Sequence, residues 1–551
     1  MLTALKIKNF KGIEGPVDIA IKPVTLLYGV NSAGKSSVLH SMHFMRGVLE
    51  NFDLDPTSSP YAADDIDLGG FSNLIHMHSA GRRMVLGYSL DLSLTDLPEY
   101  GQASVLSISE KVKTAYVEFG FSLDDQSRQP KLDYYLVSLN DIDVALVVPD
   151  SVQASSGNTR LAYLNLRHPF LESVAESDDS TFYNFELELR KIIPWTEEDE
   201  PIDKSLDNAS QETINSLLDL RKLERQAEYD LHIKHRDLLK YQVTGFRNGL
   251  PRWGKVISSP TLDAFSDSDF NEDLINIDPV VLTELLVGPL ELLRDLLTDS
   301  RAIGPLRVIP RRHLSLDSRA NETDWYSGLA AWYRLHDCSQ GQLSEINKWL
   351  CDAEHLGTGY QLERVESRDI PQSYLDRIQF GDVSDRESSW SLIGEQQIRK
   401  KVWLVDTKNH VQVTPHDVGV GLSQLIPVVV ASVDQKGSLL LIEQPELHIH
   451  PRVQVGLGDL YLQASKKYKR NFLIETHSEA LLLRMMKRIR QTQDGELPEG
   501  VPHANRDDVA VYLIQNEGRG VAVMQMRMNE RGEFIKPWPK GLFEESLRET
   551  F

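Results

Sequence analysis

The chain has 551 residues, 41% hydrophobic and 25% charged, which excludes a disordered, collagen-like or low-complexity polypeptide and leaves room for roughly two to four domains or lobes. Its two cysteines, Cys338 and Cys351, are too few for a disulfide framework or a four-cysteine zinc site, so a reducing cytoplasm is the expected compartment. With 59 Lys+Arg against 81 Asp+Glu the net charge is −22, so any attraction to a phosphate backbone must come from a local patch rather than from the whole-molecule field.

The first residues, MLTALKIKNFKGIEG, alternate apolar and polar with no apolar signal region behind them, so strands are expected and secretion is not. A buried run, VTLLY at 24–28, follows, and then the octet Gly29-Val30-Asn31-Ser32-Ala33-Gly34-Lys35-Ser36, which satisfies G-x-x-x-x-G-K-[ST]. It stands between a strand-like run and the amphipathic segment SVLHSMHFMRGVL, as a phosphate-binding loop must. Glycines let backbone N–H groups turn inward around phosphate oxygens, and the following helix aims its positive end at them. Lys35 would reach the β/γ-phosphates and Ser36 would hold Mg²⁺, with Gly29, Asn31, Ser32, Ala33, Gly34 and Ser37 completing the cradle.

From Met84 to about Arg190, short alternating segments rich in β-branched and aromatic residues (MVLGYSLDLSL, TAYVEFGFSL, LDYYLVSL, TRLAYLNL, FYNFELELR) predict an antiparallel sheet lobe. From about Asp203 to Leu350 the period becomes helical, chiefly in LLDLRKLERQAEYDLHIKHRDLL and VVLTELLVGPLELLRDLLTD, without the sustained heptads of a long coiled coil. Strand-like text returns at KKVWLVDTKNHVQVTP. The buried run SLLLI then ends in Glu443-Gln444-Pro445-Glu446, the form of a Walker B strand that delivers an acid, here Glu443, to the metal at the phosphate loop. A helix, a second buried strand from Phe472 to Glu475 that ends in Thr476-His477-Ser478, and a further helix complete an α/β rhythm, with that polar cluster at a strand's carboxyl end, where open sheets bind ligands. No apolar run reaches the ~20 residues of a membrane helix. The basic stretches at Arg307/Arg311/Arg312, Lys466 to Arg470 and Arg484 to Arg490 are of a kind that is usually solvated surface.

Taken together, KIKNFKGI…LLYGVNSAGKSS, DVGVGLSQLIPVV, LLIEQPELHIHP and FLIETHSEALLLRM resemble the ABC-type ATPases of the OLD, RecF and SMC-related group. The tail from Trp538 to Glu545 resembles a stand-alone branch that includes the ATPase subunits of Septu-type anti-phage systems, some of them encoded with retrons. The resemblance implies an α/β fold: an ABC-type P-loop head of mixed sheet plus antiparallel β lobe, with a helical insertion. Its expected parts are 1–200, with the P-loop and β lobe; 201–355, the insertion; and 356–551, with the signature segment, Walker B and switch histidine. ATP and Mg²⁺ are the implied cofactors. In such enzymes two heads sandwich ATP, so the P-loop of one would face Gly419 to Gln424 of the other, Gly421 and Ser423 being the candidates for the γ-phosphate. His477 matches the switch histidine, and His76 falls where the family's Q-loop lies. His448-Ile449-His450 belongs with the loop after Walker B rather than with a zinc site.

One departure matters chemically. The family's catalytic glutamate is here Gln444, which can orient water but cannot take its proton. Either Glu446 substitutes as base, or hydrolysis is slow and ATP holds a closed dimer as a switch. The resulting expectation is an ATPase that forms a homodimer or higher even-numbered oligomer and regulates a separate effector, an HNH-type nuclease, in anti-phage defence. Nucleic-acid contact is left to that complex, and no membrane is involved. Two alternatives are a DNA-repair ATPase binding duplex DNA through converging basic segments, and a self-contained OLD-type nuclease. The latter would need a metal-binding Toprim domain, whose acidic spacing Asp507-Asp508 lacks.

Overall fold

The computed structural model describes residues 1–58, 66–79, 81–100, 111–124, 127–149, 159–164, 168–170, 242–243, 246–257, 279–310, 322–368, 370–395, 398–518 and 520–538. Leu2–Lys8 (β1) and Val17–Ala20 (β2) pair antiparallel, while Val24–Gly29 (β3) leaves them for a different sheet. The first sheet continues through Met84–Asp91 (β4), Thr114–Leu123 (β5), Pro130–Leu139 (β6), Ile142–Pro149 (β7), Thr159–Leu164 (β8) and Gln242–Val243 (β9). Its order is β2-β1-β4-β5-β6-β7-β8-β9, antiparallel throughout. Four of the alternating segments fall on β4, β5, β6 and β8; FYNFELELR, at 182–190, lies outside the described residues. Phe246–Arg247 (β10) and Leu250–Pro251 (β11) form a small hairpin.

Within the expected insertion the structure describes Pro279–Leu286 (α2), Gly288–Thr298 (α3), Leu329–Asp337 (α4) and Gln340–Cys351 (α5); the P-loop helix Lys35–Asn51 is α1. The periodic stretch VVLTELLVGPLELLRDLLTD thus becomes two helices, because Gly288-Pro289 starts a new one. The other long stretch, at 217–239, lies outside the described residues. The same span also supplies a strand of the sheet that contains β3, Arg301–Ile303 (β12). Tyr360–Arg368 (β13), Ile398–Asp406 (β14) and Val411–Val413 (β15) make a third sheet, with Gln372–Phe380 (α6) and Val383–Glu395 (α7) between its first two strands. The remaining elements are Val420–Val433 (α8), Leu439–Glu443 (β16), Pro451–Lys467 (α9), Asn471–Glu475 (β17), Glu479–Asp494 (α10), Val509–Glu517 (β18) and Gly520–Gln525 (β19).

The second sheet has the order β12-β16-β17-β3-β18-β19, parallel except for β19. Strands β3, β16 and β17 are buried along their whole length, so they read as continuous apolar runs rather than as alternating ones. The period of two still operates, but it divides two cores instead of core from water. Leu27, Leu439, Leu441 and Leu473 face α1, α2, α3 and the antiparallel sheet. Leu26, Tyr28, Leu440, Ile442, Phe472 and Ile474 face α4, α5, α8, α9 and α10. This is the α/β class expected, a mixed sheet joined to an antiparallel lobe. Among the described residues, no helix is long and apolar enough to cross a membrane.

Much of the basic charge noted in the sequence is engaged in internal struts. Arg484 and Arg488 both bind Asp459, which is buried. Arg470, also buried, donates to the carbonyls of Ala431, Ser432 and Asp434, and the Asp434 carboxylate binds Arg301 and Arg334. Lys466 pairs with Asp508 and Lys467 with Glu345, while Asp507 meets Lys22. Arg311 and Arg312 lie outside the described residues. Removing one partner of a buried ion pair leaves an uncompensated charge, so Asp459→Ala should destabilise the fold by about 3–5 kcal/mol in urea unfolding. A loss below about 1 kcal/mol would show that water reaches Arg488.

Candidate nucleotide site

The parallel register brings the carboxyl ends of three strands to one place. Glu443 on β16 lies opposite Glu475 on β17, and Glu475 lies opposite Leu27, two residues before the loop that starts at Gly29. That loop turns through Ser32, whose φ is 60°, with the Ala33 N–H donating to the Val30 carbonyl at 3.2 Å. Gly34 caps α1 at φ 93°, a conformation that strains any residue with a Cβ. Its carbonyl accepts from the Ser37 N–H at 3.1 Å, which leaves Asn31 and Ser32 exposed at the tip and Ala33 buried beneath.

Lys35 and Ser36 point back to the strand ends. The Lys35 Nζ donates to the carbonyls of Gly29 and Val30 at 3.1 and 3.0 Å and stands 3.7 Å from Glu475 Oε1. Burial lowers its pKa, and the Glu475 charge opposes that shift. The Ser36 Oγ donates to Glu475 Oε2 at 2.6 Å. Glu475 was not among the residues singled out from the sequence, although an acid closing a buried strand just before Thr476-His477 was a usable signal. Glu443 accepts instead from the Tyr326 hydroxyl at 3.2 Å. Burial, reinforced by the Glu475 charge, pushes the Glu443 carboxyl up to about 7. Lys11 adds a cation on the far side; its Nζ donates to His40 Nδ1 at 2.7 Å, and burial lowers its pKa while Glu443 raises it.

The turn after β16 is held from several directions. Gln444 has φ 43°, and its N–H donates to the Glu475 carbonyl at 2.8 Å. Arg307, buried, donates through Nη2 to the carbonyls of Glu443 and Gln444 at 2.8 and 3.2 Å. Glu446 uses both oxygens: one accepts from Thr476 Oγ1 at 2.8 Å, the other from the His477 N–H at 2.6 Å. Burial raises its pKa and those two bonds oppose the rise. His477 is exposed overall, and partial burial together with the Lys35 charge lowers its pKa from the ordinary histidine value. His450 caps α9, accepting from the Arg452 N–H.

The signature candidates sit elsewhere on the surface of this turn. Gly421 packs so closely on the loop after β16 that a Cβ would meet the His448 carbonyl oxygen. Ser423 is fully buried, its hydroxyl donating to the Pro415 carbonyl at 3.0 Å, and neither contact reaches the P-loop. His76 is buried as well and is bonded through Nδ1 to the Lys11 carbonyl at 2.9 Å, within the β1–β2 connection. Lys35, Ser36, Glu443, Glu475 and His477 are therefore the groups that could hold a metal-bound nucleotide. Among the described residues no cluster of three or more His, Cys, Asp or Glu could hold a metal. Other ligands of a hard cation would have to be phosphate oxygens and water.

The family model described as "AAA domain, putative AbiEii toxin, Type IV TA system" matches residues 166–484, more than half of the chain. The chain belongs to this AAA-domain family. The matched range holds Glu443, Gln444, Glu446, Glu475 and His477, and the P-loop octet precedes it. No curated protein matches the sequence. Among solved structures, the chain is similar to an SMC head bound to the C-winged helix domain of ScpA, with 11% identity over 96% of this chain and 98% of that one and a TM-score of 0.37. It is also similar to the SMC head domain from Thermotoga maritima, with 8% identity, coverage of 96% and 99% and a TM-score of 0.35. A third is the Smc head domain with a coiled coil and joint from Pyrococcus yayanosii, with 11% identity, coverage of 100% and 99% and a TM-score of 0.37.

Because the Glu443 carboxyl has a folded pKa above its ordinary 4.5, the folded state binds more protons than the unfolded one between those values. Stability must therefore fall as pH rises from about 4.5 through about 7. Glu443→Gln removes that loss. In chelating buffer its melting temperature should exceed that of the wild type above pH 7 and approach it near pH 5; a pH-independent difference would refute the burial of this charge.

Proposed function

We propose that the chain is an ATP-binding ABC-type ATPase that dimerises, or assembles in a higher even number, around ATP and thereby regulates a separate effector. The observation that carries this reading is the meeting of Lys35 and Ser36 with Glu475 and, one strand further, Glu443, beside His477. These groups fit a magnesium nucleotide: a lysine for β/γ-phosphate, a serine hydroxyl and hard carboxylate oxygens for the cation, and a left-handed glycine that lets the loop close. Bound Mg²⁺ would neutralise charge between the phosphates. Lys35 would give up its carbonyl partners to the nucleotide, and His477 would offer a ring N–H to the γ-phosphate.

Turnover is proposed to be slow. Gln444 stands where a base would be needed, and an amide takes no proton. Glu446 is a poor replacement, because both its oxygens already hold the Thr476-His477 turn. ATP then acts mainly as the clasp of a dimer, a switch rather than a motor. The effector is proposed to be an HNH-type nuclease in a Septu-type anti-phage system acting in the cytoplasm, a reading supported by the resemblance of the motifs. Co-purification with the product of a neighbouring gene, followed by mass measurement with and without ATP, tests it.

Lys35→Ala should abolish ATP binding in calorimetry with Mg²⁺; undiminished affinity in a folded variant would remove the P-loop assignment. Gln444→Glu should raise steady-state phosphate release by about 10²–10⁴-fold with little change in affinity, by supplying a general base. A wild type that is already fast, and indifferent to this substitution, would mean that water is activated elsewhere.

A further inference from the structure

Glu475 stands on β17, the strand interposed between the P-loop strand β3 and the Glu443 strand β16. Its two oxygens are divided between the two functional P-loop side chains: Oε2 accepts from the Ser36 hydroxyl at 2.6 Å, and Oε1 lies 3.7 Å from the Lys35 ammonium. The carboxylate cannot drift. Residue 475 is paired in parallel with Glu443 on one side and Leu27 on the other, its carbonyl accepts from the Gln444 N–H at 2.8 Å, and the residue is only 4% exposed. Glu443, by contrast, is turned to the Tyr326 hydroxyl.

A serine hydroxyl has one proton and two lone pairs. If Ser36 gives a lone pair to a cation, its proton has to point to an acceptor on the other side, and Glu475 Oε2 is that acceptor at a charge-assisted distance. We propose that Glu475 is the positioning carboxylate of the P-loop cation: it accepts the Ser36 hydroxyl hydrogen bond, turns the oxygen lone pair towards the metal, and lends the site its nearest negative charge. Glu443 supplies a second carboxylate from one strand away. The inference deepens the nucleotide reading above and rests on it. It also gives Lys35 two successive partners, Glu475 before the phosphates arrive and the phosphates afterwards.

Mn²⁺, followed by electron paramagnetic resonance on the full chain with saturating ADP, is the probe. Loss of a group that orients a metal ligand typically costs 10–100-fold in metal affinity. Glu475→Gln should weaken Mn²⁺ binding by about that factor, while ADP affinity in EDTA stays equal or becomes tighter, since a competing anion beside Lys35 has gone. Mn²⁺ affinity equal to that of the wild type overturns the proposal. So does an equal loss of ADP affinity in EDTA, which would mean that Glu475 merely supports the loop. If the amide variant does not fold, Glu475→Asp, which keeps the charge but withdraws it by a methylene, must show a smaller loss of the same selective kind; unchanged Mn²⁺ affinity again overturns the idea. A wild type that binds neither ADP nor Mn²⁺ with ADP would overturn the nucleotide reading itself, a result distinct from the other two.

Discussion

Two carboxylates that end neighbouring buried strands repel each other, and the site is arranged around that repulsion. Parallel pairing of β16 with β17 sets Glu443 beside Glu475 without regard to their charge, because register is decided by backbone bonds and apolar faces. The conflict is relieved in two different ways. Glu475 meets Lys35 and Ser36, whereas Glu443, with a phenol and the more distant Lys11 and Arg307 charges for relief, is driven up towards neutrality. A cation between the phosphates and these acids would satisfy both at once. The same pair that weakens the fold near neutral pH is thus the one that a bound metal ion would turn into a source of stability.

The turn after β16 connects this pair to the rest of the molecule. Arg307 comes from the segment following β12 and reaches the carbonyls of Glu443 and Gln444, while its own peptide group is gripped by the Gln424 side chain, which accepts from its N–H at 2.9 Å and donates to its carbonyl at 2.5 Å. Gln424 belongs to α8. Burial lowers the Arg307 guanidinium to about 10, which still leaves it charged at neutral pH. Gly421 pressed on the His448 carbonyl provides a second contact between the same two elements. The contacts from α8 thus meet the backbone of Gln444, and Glu446 extends the hydrogen bonds to Thr476 and His477. Helix α8, the turn after β16 and the Thr476-His477 segment are joined by hydrogen bonds through Arg307 and Glu446.

The acidic surface has a related logic. Several arginines in stretches that read as solvated surface along the chain bind Asp459 and backbone carbonyls instead, which fasten α9, α10 and α8 around the sheet. The tail belongs to this frame too: the Trp538 ring meets Tyr28 edge to face at 5.7 Å, on the strand that leads into the P-loop, while residues 539–545 lie outside the described residues.

Local patterns determined a good deal. An octet with glycines, lysine and serine at fixed spacing between an apolar run and a helix marks a phosphate loop because each of those residues is needed for its own conformation or charge, and β3, β16 and β17 are legible as buried strands because no charged residue interrupts their apolar runs. Alternation likewise exposed the antiparallel lobe. Pairing partners were not legible. That β17 lies between β3 and β16, and so hands Ser36 to Glu475 rather than to Glu443, depends on strand order, which no single segment encodes. The strand β12 hid in a helical stretch because three residues carry too short a period to read. Ser423 reads as a γ-phosphate candidate and the arginines at 470 and 488 as surface groups in the sequence, and only packing turned them inward, since a polar side chain can be buried wherever carbonyls or carboxylates from distant segments converge to satisfy it.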